Sequence, residues 1–127
     1  VNRFVANFIG QTNLLDATVV SNDTVCLANG VHIPGKSDLG VGSRVAVCLR
    51  PERAEMQRPD EVPADHQSVV GRLESVTYLG NALVYTVVLD WARLEVRREN
   101  QPGGYRPYVG EEVAVSWTLD AISVVRA

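Results

Sequence analysis

The sequence predicts an all-β fold built from two tandem β repeats, with one short helix at its start. Three observations carry that reading. Val41-Gly42-Ser43-Arg44-Val45-Ala46-Val47-Cys48-Leu49 returns as Val109-Gly110-Glu111-Glu112-Val113-Ala114-Val115-Ser116-Trp117, and in each copy a Gly-led polar turn launches a strand whose paired valines share one face of the pleat. Upstream, Thr24-Val25-Cys26-Leu27, Asn29-Gly30 and Val31-His32-Ile33 are answered by Thr86-Val87-Val88-Leu89, Asp90-Trp91-Ala92 and Arg93-Leu94-Glu95-Val96. Helical spacing of apolar residues is confined to the first ten residues, while strand-like runs bounded by Gly, Asn, Asp and Pro fill the rest.

Taken in order, Phe4, Val5, Phe8 and Ile9 stand at helical spacing between a capping Asn2 and a terminating Gly10. The helix begins at once and its apolar face needs a partner, so a segment upstream of Val1 is expected. From Ala17 the period becomes two: Ala17 to Val20, the polar turn Ser21-Asn22-Asp23, Thr24 to Ala28, the hairpin dipeptide Asn29-Gly30 in a type I′ turn, and Val31-His32-Ile33. Gly35 to Gly42 form a loop, and the first copy of the repeated strand after it ends at Arg50-Pro51-Glu52, because Pro51 has no N–H to give to a ladder.

Residues 53–67 carry Glu55, Asp60, Glu61 and Asp65 with Pro59 and Pro63 and read as an exposed connection. Ser68 to Leu79 and Ala82 to Leu89 form a long hairpin about Gly80-Asn81, in which Val76 faces Tyr85 and Tyr78 neighbours Leu83. Arg93 to Arg98 is a charged strand suited to an edge, Asn100 to Tyr108 a loop, and Ile122 to Val125 the last strand, giving about eight or nine strands in all. The first repeat spans 16–56 and the second 69–125. Such units rarely bury an apolar face alone, so one domain over 1–127 with a shared core and a single cooperative unfolding transition is expected.

With 12 Lys and Arg against 15 Asp and Glu, the net charge of −3 provides no footprint for a polyanion, which argues against nucleic acid. No apolar run approaches the roughly 20 residues that span a bilayer, so direct membrane insertion is not expected. Cys26 and Cys48 lie inside strands without metal-ligand spacing and read as small reduced core residues. His32 reads as a strand residue and His66 as a solvated loop residue, and the carboxylates of 52–65 lack the ligand ladder of a calcium loop.

Gly30-Val31-His32-Ile33-Pro34-Gly35-Lys36-Ser37 matches the phosphate-loop pattern letter for letter. A phosphate loop needs a helix whose N-terminal amides hold the phosphates, and Asp38-Leu39-Gly40-Val41-Gly42 cannot propagate one. The match is therefore rejected and no ATP binding is expected of these residues. No Ser stands in a nucleophile elbow, and no catalytic, cofactor or metal residues are assigned. Tyr78, Tyr85 and Trp117 read as core or cross-strand residues rather than as a stacking platform for single strands.

Arg3-Phe4-Val5-Ala6-Asn7-Phe8-Ile9-Gly10, Asn13-Leu14-Leu15, Leu49-Arg50-Pro51-Glu52, Tyr78-Leu79-Gly80 and Gly110 to Trp117 with Asp120-Ala121 resemble, nearly end to end, the C-terminal regulatory region of ATP-binding subunits of bacterial ABC importers. This is the TOBE (transport-associated OB) domain, and Ser116-Trp117 with Asp120-Ala121 is most similar to its polyamine (spermidine/putrescine) and iron-type members.

The resemblance implies an OB-like β-barrel or sandwich without a catalytic role, on the cytoplasmic side and peripheral to the inner membrane. ATP and magnesium would belong to an upstream ATPase domain, with the helix of Phe4, Phe8 and Ile9 at the junction to it. Implied partners are that ATPase domain, a second copy of the subunit in a homodimer, and the permease subunits. Arg50, Pro51 and Glu52 form the motif of interest, in which Arg50 and Glu52 anchor a loop by charge-assisted bonds and Pro51 fixes the strand end. Two other readings are a small-ligand sensor holding an oxyanion on backbone amides at Gly35-Lys36-Ser37, and an oligonucleotide-binding OB module, which the charge disfavours.

Overall fold

The computed structural model describes residues 12–100 and 103–127. The helix expected over Asn2 to Ile9, with Phe4, Phe8 and Ile9, lies outside the described residues. Those described are all-β, with ten strands and only three single turns of 3-10 helix, and they fall into two compact units, residues 12–50 with 118–127 and residues 51–117.

The first unit holds β1 (Asn13–Ser21), β2 (Thr24–Leu27), β3 (His32–Pro34), β4 (Arg44–Leu49) and β10 (Ile122–Arg126) in one antiparallel sheet of order β10-β4-β1-β2-β3. Period-two alternation puts Leu15, Val19, Val25, Val45, Val47 and Leu49 in its core. Each such side chain stabilises the fold by about 1.5–3 kcal/mol relative to exposure. The outward face carries Asp16, Thr18 and Arg44 with half-buried Cys26 and Cys48, both free thiols, so the two cysteines sit on the opposite side from the core.

The second unit holds β5 (Glu55–Gln57), β6 (Gln67–Leu79), β7 (Ala82–Val88), β8 (Arg93–Glu99) and β9 (Glu112–Trp117) in the order β5-β9-β6-β7-β8. Leu73, Val87, Leu94, Val113, Val115 and Trp117 fill its core. The hairpin pairs Val76 with Tyr85 and Tyr78 with Leu83, the register expected, and β8 is the charged edge.

Repeat boundaries and unit boundaries do not coincide. β10 lies within the second sequence repeat yet pairs with β4, from Ile122 opposite Leu49 to Arg126 opposite Val45. Conversely β5, at the end of the first repeat, pairs with β9 through Met56 opposite Val115. The last strand of the second repeat, 69–125, thus belongs to the first sheet, and the last strand of the first repeat, 16–56, to the second. The physical reason lies in two matching 3-10 turns, Pro51–Arg53 after β4 and Leu119–Ala121 after β9, each of which is followed by a strand of the other sheet.

Two local expectations also change. The 53–67 connection is not wholly exposed, because Ala54 and Met56 are buried and Glu55–Gln57 form β5. The β2–β3 connection is a three-residue loop rather than a two-residue one: Gly30 N–H donates to the Leu27 carbonyl at 2.8 Å, Leu27 N–H donates to the Val31 carbonyl at 2.9 Å, and Asn29 Oδ1 accepts from Val31 N–H at 3.0 Å.

Candidate functional site

Arg50-Pro51-Glu52 stands where the chain leaves β4. Pro51 is buried and opens the 3-10 turn, while Arg50 and Glu52 are exposed and neither lacks a partner. The turn closes through Ala54 N–H and the Pro51 carbonyl at 3.4 Å. Its counterpart after β9 is held by a Thr118 hydroxyl donating to Asp120 and by Ala121 N–H donating to the Thr118 carbonyl at 3.0 Å.

His66 is not solvated, contrary to expectation. Its side chain is only 8% exposed, and Nδ1 lies 2.9 Å from Ser116 Oγ. Ser116 is fully buried in β9 between β5 and β6, and its hydroxyl also accepts from Gln57 Nε2 at 2.9 Å. Carboxylate oxygens of Glu55 and Asp65 stand 3.9 Å from Nε2, and the tautomer of the ring sets which of Nδ1 and the serine hydroxyl donates. The trio has the atom types of a nucleophilic relay, but a hydroxyl without exposure and already hydrogen-bonded to both His66 and Gln57 has no route to a substrate. It works as a polar bolt joining β5, β9 and the start of β6. The sequence signal for it was Ser116 itself, a hydroxyl in an otherwise apolar strand that must find a partner.

A second polar cluster fixes residues 103–111. Glu111 accepts from Tyr108 N–H at 2.9 Å and from the Tyr105 hydroxyl at 2.8 Å, and Arg58, paired with Glu61 at 3.5 Å, lies 4.9 Å from the centroid of the Tyr105 ring. The Tyr108 N–H, followed by the Tyr105 hydroxyl, holds the Glu111 carboxyl below its usual range, while burial and then Glu111 push Tyr105 up to about 12. Tyr105 also lines a cleft of about 260 Å³ with Leu83, Tyr85, Arg98, Glu99 and Arg106. A polyamine there would meet two guanidinium groups against one carboxylate, so the cleft suits an anion better than a polycation.

The phosphate-loop pattern folds as part of β3 and the strand-free segment after it. Gly35 N–H donates to the Asp23 carbonyl at 3.0 Å and Ser37 N–H to that of Asn22 at 3.1 Å, so these amides are spent on the β1–β2 turn and form no anion cradle. His32 is exposed on β3 opposite Cys26. Among the described residues no group of His, Cys, Asp and Glu is placed to hold a metal ion, and no helix is long and apolar enough to cross a membrane.

Known proteins share both the fold and the sequence. The cytoplasmic molybdate-binding protein ModG, crystallised with molybdate bound, superposes with a TM-score of 0.76 over 91% of this chain and 96% of its own, at 10% identity, which establishes the OB-like β architecture alone. The spermidine/putrescine import ATP-binding protein PotA 2 of Pseudomonas aeruginosa is 34% identical across 99% of this chain and 37% of its own length. PotA proteins of Nitrosomonas europaea and Rubrobacter xylanophilus are 34% and 33% identical over 94% and 91% of the chain, and 36% and 32% of theirs. The chain thus spans about a third of the length of these relatives. Residues 47–125, which run from the end of β4 through the whole second sheet into β10, match the TOBE domain. The chain therefore belongs to the TOBE domain family.

Proposed function

We propose that this chain is the non-catalytic regulatory and dimerisation domain of the ATP-binding subunit of an ABC importer for polyamines. The observation that carries the reading is the nearly end-to-end match to spermidine/putrescine import ATP-binding proteins, of which the chain covers about a third. In this reading the subunit works on the cytoplasmic face of the inner membrane. ATP and magnesium are held by an ATPase domain upstream, joined through the segment of Phe4, Phe8 and Ile9, and the permease subunits are reached through that domain. The work of the present domain is contact: it pairs with its counterpart in a homodimer and keeps the subunits together while the ATPase domains are open. Arg50, Pro51 and Glu52 serve architecture, with Pro51 buried at the strand end and the two charges anchoring the turn.

Sedimentation of the full-length subunit and of one lacking 16–127 tests this, with and without ATP. ATP sandwiched between two ATPase domains supplies contacts of its own, so the truncation should weaken the nucleotide-free dimer by at least roughly tenfold, about 1.4 kcal/mol, and the ATP-bound dimer less. An unchanged nucleotide-free dimer constant would sink the proposal.

A further inference from the structure

The sheet of the second unit has edges of opposite character. β8 closes one side with Arg93, Glu95, Arg97, Arg98 and Glu99, and charge of this kind guards an edge against strand addition. On the other side β9 covers β6 only from Gln67 to Arg72, and the β6 ladder is prolonged by Leu73, which exchanges hydrogen bonds with Gly110 N–H at 2.7 Å and the Glu111 carbonyl at 3.0 Å. From Ser75 to Leu79, β6 pairs with β7 alone among the described residues.

The direction of the unpaired backbone groups follows from the register. The two-residue loop Gly80-Asn81 makes Leu79 and Ala82 a hydrogen-bonded pair, and alternation gives Thr77 with Val84 and Ser75 with Thr86 the same role. Val76 and Tyr78 therefore turn their N–H and C=O groups to the open side. The bulge between Leu73 and Ser75 agrees with this, since it shifts the outward parity from Leu73 to Val76. Ser75-Val76-Thr77-Tyr78-Leu79 contains no charge, no Pro and no Gly. Tyr78 is 67% and Leu79 48% exposed, and Tyr108 and Val109, just before Gly110, are 81% and 67% exposed. An uncharged, apolar edge with free amides is the arrangement that strand addition uses.

We infer that this edge pairs antiparallel with the same edge of a second copy, about a two-fold axis through Thr77. The inference rests on the dimerisation reading above and names its surface. The register closes on itself: with Thr77 opposite Thr77 of the second copy, Val76 meets Tyr78 of the second copy at either end, and outward backbone groups meet outward backbone groups. Each Val–Tyr pair exchanges both N–H···O=C bonds and stacks an aromatic ring on a β-branched side chain. Glu74, already paired with Arg93 at 3.1 Å, falls opposite Gly80 of the second copy, so no like charges face each other. A segment without charge offers nothing to select a charged foreign strand, whereas its own sequence supplies a complementary partner at every position.

The test is sedimentation of the whole chain as wild type, Thr77→Lys, Thr77→Glu, and an equimolar mixture of the two variants. Thr77 is exposed, so neither variant disturbs the fold of one copy. The wild type should dimerise, and each variant alone should dissociate by at least roughly tenfold because like charges meet at the axis. The mixture should regain the dimer. A wild-type dimer that Thr77→Lys leaves unchanged overturns this edge while the dimerisation reading stands on another surface. Dissociated variants that the mixture does not restore overturn the two-fold register. A wild-type chain that stays monomeric up to about 1 mM, where any pair held by more than about 4 kcal/mol would form, overturns both readings.

Discussion

The two units follow one plan, and the comparison between them separates what the repeat dictates from what the second half adds. Their strand orders correspond position by position, β10-β4-β1-β2-β3 and β5-β9-β6-β7-β8. In the first, Gly42 N–H donates to the Val19 carbonyl and Val19 N–H to that of Ser43, both at 2.9 Å. In the second, Gly110 and Glu111 make the same exchange with Leu73, at 2.7 and 3.0 Å. Gly42 and Gly110 adopt φ of 90° and 93°, which side-chain-bearing residues rarely reach, so the repeated glycine fixes a repeated turn. Even the bulges match, between Val19 and Ser21 and between Leu73 and Ser75. The halves differ beyond the bulge: β1 stops at Ser21, whereas β6 runs on to Leu79. They differ again where Cys48, its thiol pushed up by burial and bonded to Ser123, stands in the place of the Ser116–His66–Gln57 bolt. The shared plan makes the sheets, and the additions supply the exposed apolar edge and the polar clusters.

The largest effect should come from separating the halves. Each sheet takes its final strand from the other repeat, so a Ser68–Ala127 fragment leaves β10 without β4 and β9 without β5. It should show no cooperative thermal transition by circular dichroism, while the whole chain melts in a single one. A fragment that folds cooperatively would show that the exchanged strands are dispensable.

A smaller effect tests whether the units are equivalent at one residue. Val19 and Leu73 occupy matching places, so Ala17 corresponds to Gly71 two residues earlier. A Cβ on Gly71 would lie 2.5 Å from the Val88 carbonyl oxygen and 2.9 Å from Val87 Cγ1, and the nearest of these is backbone that cannot swing away. Gly71→Ala should cost about 1–3 kcal/mol by overpacking. Ala17→Gly should cost about 0.5–1 kcal/mol through added backbone freedom. Urea midpoints compare the two directly, and a neutral Gly71→Ala would mean that β7 is free to move off β6.

Much of this plan was legible in the sequence because it is local. The repeated Val-Gly turn, the hairpin register about Gly80-Asn81 and the charged edge of Arg93 to Arg98 each follow from a few adjacent residues. The phosphate-loop pattern could be rejected for the same reason. What escaped is non-local. β5 offers Met56 as its only large apolar residue, too short a pattern to separate from an acidic connection, and nothing in Ile122 to Val125 says that its partner is β4 rather than a nearer strand. His66 looked solvated because the segment around it is polar. Its partner Ser116 lies 50 residues away and becomes its neighbour only when β9 pairs with β6. The hairpin sets Tyr78 beside Leu83, but its exposure depends on β9 ending short of it.

The smallest effect, confined to the second unit, concerns pH. Ser43 holds the turn position in the first unit that Glu111 holds in the second, so only the second has a titrating clamp. The Glu111 carboxyl is held below its ordinary 4.5, first by Tyr108 N–H and then by the Tyr105 hydroxyl. Its contribution is present above that ordinary value and is lost as pH falls through the lowered one. Tyr105 is pushed from its ordinary 10.0 up to about 12, first by burial and then by Glu111. The folded loop therefore retains a proton that the unfolded chain releases, and this contribution is intact below pH 10 and lost as pH rises toward 12. Residues 105–111 should stay fixed across neutral pH and loosen at both extremes, while the Ser43 turn does not respond. Ultraviolet titration of tyrosinate, with Tyr105→Phe to assign the signal, should find Tyr105 ionising near 12. In Glu111→Gln that value should fall yet remain above 10.0, because burial is the larger cause. A Tyr105 that ionises at its ordinary 10.0 would remove the clamp from this account.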